Sequence, residues 1–285
     1  MKNKFLFIFL LFLSLYSYSQ TDSSGHKKTQ IKAGLQFISN QTYAGRTDSL
    51  KLPVLIPEVN LEFQKGFFVN TKGYVNLSGG KTTFDGISIE PGYEFSKKNW
   101  NGSLSVIKNF ISDSSNLIIA PVNASLEFYL NKETKIVTPF IGSEYVFSAE
   151  GNDFIMYGGL SKDIVFTKED SKTTADVEPS FSLTAGSQNF YYSFLKSFSS
   201  NAQNRGKGKG RGIGNSTSTT ITQSVEQQSN HFTLLSSAFE LPLTVATQKF
   251  KWITTPALET PVNLIKNGTQ QSSIFYITTE LLFDF

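Results

Sequence analysis

The stretch Phe275-Tyr276-Ile277-Thr278-Thr279-Glu280-Leu281-Leu282-Phe283-Asp284-Phe285 decides how the rest of the chain is read. Phe275, Ile277, Leu281, Phe283 and Phe285 fall on alternate positions, with Thr279 as the one polar gap. Tyr276, Thr278, Glu280, Leu282 and Asp284 fall between them. A period of two sustained over such a length predicts a β-strand with one apolar face and one polar face.

The same alternation recurs toward the N-terminus. Leu55, Pro57, Val59, Leu61 and Phe63 oppose Glu58, Asn60, Glu62 and Gln64. Ile87, Ile89, Pro91, Tyr93 and Phe95 oppose Ser88, Glu90, Gly92 and Glu94. Ala120, Val122, Ala124, Leu126, Phe128 and Leu130 oppose Asn123, Ser125, Glu127 and Tyr129. Val177, Pro179, Phe181, Leu183 and Ala185 oppose Glu178, Ser180, Ser182 and Thr184. The pattern predicts about twelve strands, at 31–43, 53–64, 67–78, 85–96, 100–111, 118–130, 135–148, 153–167, 175–188, 231–243, 248–258 and 272–285, and no segment with helical spacing.

Composition agrees. Aromatic residues make up 14% of the 285-residue chain and charged residues only 17%, below the roughly 25% of soluble domains. There is no cysteine, which excludes disulfides and thiolate chemistry. Only His26 and His231 are available, too few for a histidine metal site and a thin basis for a catalytic triad, so an enzyme is not expected. No cofactor or metal is implied.

Lys2 and Lys4, then an apolar run from Phe5 to Leu15 broken only by Ser14, then Ser17-Tyr18-Ser19, have the form of a secretory signal peptide over 1–19. The run is shorter than the ~20 residues a membrane-spanning helix needs. A polar leader at 20–30 and one structural unit at 31–285 are expected to follow. Net charge falls from +3 to about +1 once Lys2 and Lys4 are removed, which gives no pull toward nucleic acid.

Connections alternate in length. Short breaks at 64–66, 97–99, 131–134 and 244–247 interleave with longer ones at 44–52, 79–84, 189–230 and 259–271. Two breaks depart from the pattern, 112–117 being short where a long one is expected and 168–174 moderate where a short one is expected. The alternation is that of an up-and-down antiparallel barrel, and an even strand number places 189–230 on the long-loop side. Here the sequence resembles the outer-membrane β-barrel proteins of Gram-negative bacteria, whose last strand ends in an aromatic residue preceded by alternate apolar residues. Phe275, Ile277, Leu281, Phe283 and Phe285 fit that terminal pattern. The resemblance implies a transmembrane barrel over 31–285, outer-membrane localisation, contact with outer-membrane lipid and lipopolysaccharide, and Phe275 to Phe285 as the signal for the barrel-assembly machinery. Against it stand Pro57, Pro91, Pro121, Pro139, Pro179 and Pro256 inside predicted strands. Proline cannot donate to a ladder, so these should mark bulges or strand ends. A soluble secreted β-sandwich that binds polymers would accept them on its edges.

Five triplets repeat a carboxylate between large apolar residues or their equivalent: Glu62, Glu94, Glu127, Glu240 and Glu280. With their neighbours facing lipid, these acids face the lumen at similar depth, with Asp163 in the remaining strand. Glu58, Glu90, Glu144 and Glu178 add to them, against Lys32, Lys72 and Lys251. An acidic ring attracts cations and repels anions; alternatively, paired acids merely fill the interior. Arg205, Lys207, Lys209 and Arg211 lie on a glycine-rich stretch of the long loop and are expected to bind surface polyanions, to fold inward, or to stay solvated. Phe67, Phe68, Phe95, Trp100, Phe128, Tyr129, Phe147, Tyr191, Tyr192, Phe250 and Trp252 are expected in interfacial girdles. The function expected is a monomeric passive pore or small-solute transporter with an acidic lumen. The alternatives are a plugged barrel serving adhesion or structure, and the soluble sandwich.

Overall fold

The computed structural model describes residues 29–47, 51–78, 82–148, 150–167, 172–196, 229–265 and 273–285. The expected signal peptide, all but the last residues of the leader, and Arg205, Lys207, Lys209 and Arg211 lie outside them.

Twelve antiparallel strands form a closed up-and-down barrel. They are β1 (Gln30–Ile38), β2 (Val54–Glu62), β3 (Phe67–Asn76), β4 (Thr83–Lys97), β5 (Trp100–Ile111) and β6 (Val122–Lys132). They continue as β7 (Thr138–Ser148), β8 (Gly151–Ser161), β9 (Thr174–Val177 continued by Ser180–Gly186), β10 (Thr233–Glu240 continued by Leu243–Ala246), β11 (Phe250–Pro261) and β12 (Ile274–Asp284). Each pairs with the next, and β1 closes the barrel on β12 with Leu35 opposite Leu281 and Gln36 opposite Glu280. Closure removes the free edges that a soluble sandwich would carry, so that alternative is overturned.

The prolines sit where the ladder is interrupted. The β2–β3 pairing skips from Leu55 to Glu58 around Pro57, and the β4–β5 pairing from Ile89 to Gly92 around Pro91. Pro179 and Pro242 occupy the breaks that divide β9 and β10, and Pro256 lies between the two ladders that β11 makes with the halves of β10. Pro121 directly precedes β6, and Pro139 is its neighbour strand's second residue.

One face of every strand is mainly apolar and exposed; on β5 it also carries Lys108, whose Nζ lies 5.6 Å from the centroid of the Phe110 ring. Leu104, Phe110, Leu126, Phe128, Phe154, Leu160, Phe181, Phe239, Leu258 and Phe275 are 37–59% exposed and point outward. A contiguous apolar belt of this extent far exceeds the few hundred Å² a water-soluble monomer exposes, and it is the lipid-facing surface of a transmembrane barrel. The strand lengths fit, with β1 and β2 at 9 residues and β6, β7 and β8 at 11, against ~9–11 needed to cross. Phe67, Phe95, Trp100, Phe147 and Trp252 belong to the belt. On β12, Phe275, Ile277, Phe283 and Phe285 share its lipid-facing side with Leu281.

Several expectations are corrected. β1 stops at Ile38 and β6 starts at Val122; Thr42, Tyr43, Leu117 and Ile118 belong to segments folded into the barrel mouth. A register shift between Val122 and Ala124 turns Val122 inward, so it does not share the lipid face of Leu126. Residues 189–196 are helical, and Tyr191 and Tyr192 are buried there instead of forming a girdle. Phe68 sits in register with Glu62 and Tyr129 with Gly142, so both rings face the lumen.

Candidate functional site

The inner wall is polar, and registers place its charges in rows. Gly34, Glu58, Lys72 and Ser88 are in register across β1 to β4. Lys32, Asn60, Asn70 and Glu90 form the next row. Glu127 lies directly opposite Glu144 across the β6–β7 pair.

Residues without bulk let the acids reach sideways. Glu58 lies over Gly34 toward Glu280 on the far side of β1. Tyr157 folds over Gly142, crossing β7, to donate to Glu127 Oε1 at 3.1 Å. Glu240 is in register with Ala257 and then Tyr276, whose hydroxyl reaches it at 3.5 Å.

The expected ring of five acids is split by height. Glu62 and Glu94 line a cavity of about 620 Å³ at the short-turn end, where Lys32 forms an ion pair with Glu62. Glu127, Glu240 and Glu280 lie deeper. Glu240 and Glu280 line a second cavity of about 330 Å³ with Gln36, Thr42, Thr255, Tyr276 and Thr278. The depths differ because barrel strands are tilted and staggered, so equal distances from strand ends do not give equal heights. Of the other expected acids, Glu58, Glu90 and Glu144 face the lumen, whereas Glu178 and Asp163 are exposed beside the breaks and turns at the short-turn end.

The long-loop end is occupied by protein. After β1 the chain makes a hairpin, Thr42–Tyr43 paired with Arg46–Thr47, turned by Ala44 and Gly45 at φ 47° and 76°. Two successive positive φ angles give the tight twist of a two-residue hairpin. The hairpin reaches across the lumen. Thr42 lies against Glu259 of β11 and Tyr276 of β12, and Gly45 packs on Ser236 of β10 so closely that a β-carbon would collide with it. The Tyr43 hydroxyl faces Glu144 of β7 without reaching hydrogen-bond geometry. Burial, then the Glu144 charge, pushes the Tyr43 phenol well above its ordinary range.

Arg46 pins this hairpin. It is 1% exposed; its Nε donates to Gln188 Oε1 at 2.9 Å, Nη1 to the Leu235 carbonyl at 2.9 Å and Nη2 to the Val262 carbonyl at 3.0 Å. Burial pushes its guanidinium down to about 10. Beside it the helical segment 189–196 is anchored by Asp153 of β8, which accepts from Asn189 N and Phe190 N, both at 2.7 Å, and from Ser187 Oγ at 2.6 Å. A carboxylate bonded to the first amide groups of a helix satisfies donors that have no partner within it. Tyr43 meets Phe190 edge-on at 4.8 Å, within an apolar cluster that includes Ile118, Val122, Val146, Tyr191, Phe194 and Ile265. Hairpin, helical segment and residues 117–119 therefore make one packed plug at this end.

The polar face of β10 and β11 also carries Glu259, bonded by Ser236 Oγ at 2.8 Å. Among the described residues, no group of His, Asp and Glu is arranged to hold a metal ion. His231 is exposed beside Phe232.

No family model matches the chain, and no curated protein matches it. Solved structures do. The KdgM porin in complex with disordered oligogalacturonate is similar over 90% of this chain and 99% of its own, at 9% identity and a TM-score of 0.45. The NanC porin is similar over 90% and 99%, at 11% identity and a TM-score of 0.44. A bacterial polysaccharide outer membrane secretin is similar over 92% and 100%, at 10% identity and a TM-score of 0.46. The chain's own strands close into an antiparallel barrel with an apolar outer face, the architecture of a transmembrane barrel. In outer-membrane barrels the short turns face the periplasm and the longer loops the outside.

Sequence reasoning missed Arg46, Asp153, Gln188 and Glu259. Ala44-Gly45 carried a turn signal, but Ala is a poor first residue for that turn, and nothing local marks Arg46 as buried.

Proposed function

We propose that the protein is an outer-membrane barrel for passive passage of small solutes, with an acidic lumen that favours cations and an outer mouth narrowed by its own loops. The observation that carries this reading is the charge of the inner wall. Glu58, Glu62, Glu90, Glu94, Glu127, Glu144, Glu240 and Glu280 face the lumen against Lys32, Lys72 and Lys251. Water-filled cavities lined by one sign of charge concentrate counter-ions. Within this reading Glu62 and Glu94 form the periplasmic entrance, and Glu127, Glu240 and Glu280 act deeper in the path. Phe275, Ile277, Leu281, Phe283 and Phe285 serve assembly into the membrane, where the lipid belt meets outer-membrane lipid.

The test is swelling of liposomes carrying the refolded protein in small cationic, neutral and anionic solutes of similar size. Swelling fastest in the cationic solute supports the reading, and equal or anion-favouring rates contradict it. A second reading has one specific observation in its favour: the apolar cluster around Phe190 gives the plug a core of its own. A permanently plugged barrel serving adhesion or structure predicts no swelling in any solute.

A further inference from the structure

We propose that the cavity of about 330 Å³ beneath the hairpin is a binding site for a small polyhydroxylated solute bearing an ammonium group, such as an amino sugar. The proposal rests on the passage reading and names the solute class of that lumen.

The cavity is bounded by β10, β11, β12 and β1, and by the hairpin itself through Thr42. Its volume lies at the low end of the roughly 300–1,000 Å³ typical of small-molecule sites. Two of its walls carry carboxylates, Glu240 and Glu280, and none of the residues lining it is a lysine, arginine or histidine. Lys72 is in register with Glu58 on the other side of β1, and Lys251 lies one step down the inner face of β11 from Ile253, so neither lysine is part of the lining. Within the lining itself no cation balances the two carboxylates.

The remaining lining fits a sugar ring. Thr255 and Thr278 present hydroxyls that both donate and accept, Gln36 adds an amide, and the hydroxyls of Thr42 and Tyr276, engaged with Glu259 and Glu240, keep acceptor capacity. Ile38 and Ile253 give an apolar patch against which the C–H face of a ring can lie. A simple inorganic cation would use the carboxylates but leave the hydroxyls and the isoleucines without a role. An anionic solute would be repelled by two carboxylates in the lining. Because Thr42 comes from the hairpin pinned by Arg46, the site is roofed by the plug and is reached from the periplasmic side or when the hairpin moves.

The experiment is calorimetric titration of the refolded full chain in detergent, at about pH 6.5 so that the amine is charged. The probes are D-glucosamine, D-glucose and D-glucuronate. Glucosamine is expected to bind saturably, about tenfold tighter than glucose, the ratio that corresponds to about 1.4 kcal/mol. Glucuronate should give no saturable heat. The double variant Glu240→Gln/Glu280→Gln should bind glucosamine no better than glucose, and its heat-modifiable mobility on gels reports that the barrel still folds. Absence of saturable glucosamine binding, equal affinity for glucosamine and glucuronate, or undiminished binding by the double variant overturns the proposal. Conductance on the same preparation separates the two claims: conduction without glucosamine binding removes the site and keeps the pore. Binding without conduction removes the pore and keeps the site.

Discussion

Glu58 occupies the space that a β-carbon on Gly34 would fill, with its Oε1 2.7 Å from where that atom would stand. A glycine on one strand thus lets an acid from the next reach across it toward Glu280. Gly34→Ala should push aside the ends of Glu58 and Leu282, both flexible, at a cost on the order of 1 kcal/mol, the low end of overpacking. The variant should fold, shown by unchanged gel mobility, and should pass cations with weaker preference in the swelling assay. Unchanged preference would mean that the position of Glu58 is immaterial to passage.

Charge at the short-turn entrance is tested by Glu94→Lys. A unit charge about 8 Å from an ion in water contributes about 0.5 kcal/mol, so reversal disfavours a passing cation by about 1 kcal/mol, roughly fivefold. The effect should shrink as salt rises, because Glu94 is exposed. Glu62→Gln should act in the same direction by leaving Lys32 without its partner.

Asp153→Ala removes the acceptor for Asn189 N, Phe190 N and Ser187 Oγ. Leaving buried donors unsatisfied costs about 1–3 kcal/mol. The expected result is faster proteolysis within 187–196 while the barrel keeps its heat-modifiable mobility. Equal proteolysis rates would show that the apolar cluster alone holds the segment.

Arg46→Lys keeps the charge but cannot reach Gln188, Leu235 and Val262 together, because one ammonium replaces a planar fork. Arg46→Met loses all three bonds. Both should loosen the hairpin and raise conductance, Met more than Lys. Conductance equal to that of the parent protein would show that the hairpin does not limit passage.

The barrel was legible because its physics is local. Alternation of Phe283, Leu281 and Ile277 with Glu280 and Thr278 is forced by a strand with lipid on one side and a polar lumen on the other. The plug was not, because it depends on contacts between residues distant in sequence. Arg46 meets Gln188, Leu235 and Val262, and nothing near Arg46 encodes them. The helical turn at 189–196 carries aromatic residues whose burial comes from Tyr43 and Ile118, and its N-terminus is held by Asp153 from another strand. Heights of Glu62 and Glu240 differ through strand stagger, which no single segment reveals.

Planar-bilayer recording of the refolded protein with a salt gradient across the membrane tests the cation-selective passage. The expected record is stepwise conductance with a reversal potential on the cation-selective side, moved toward zero by Glu94→Lys. A protein that inserts as a folded barrel and stays silent, both as the parent and as Arg46→Met, or one that conducts with anion selectivity, would contradict that passage.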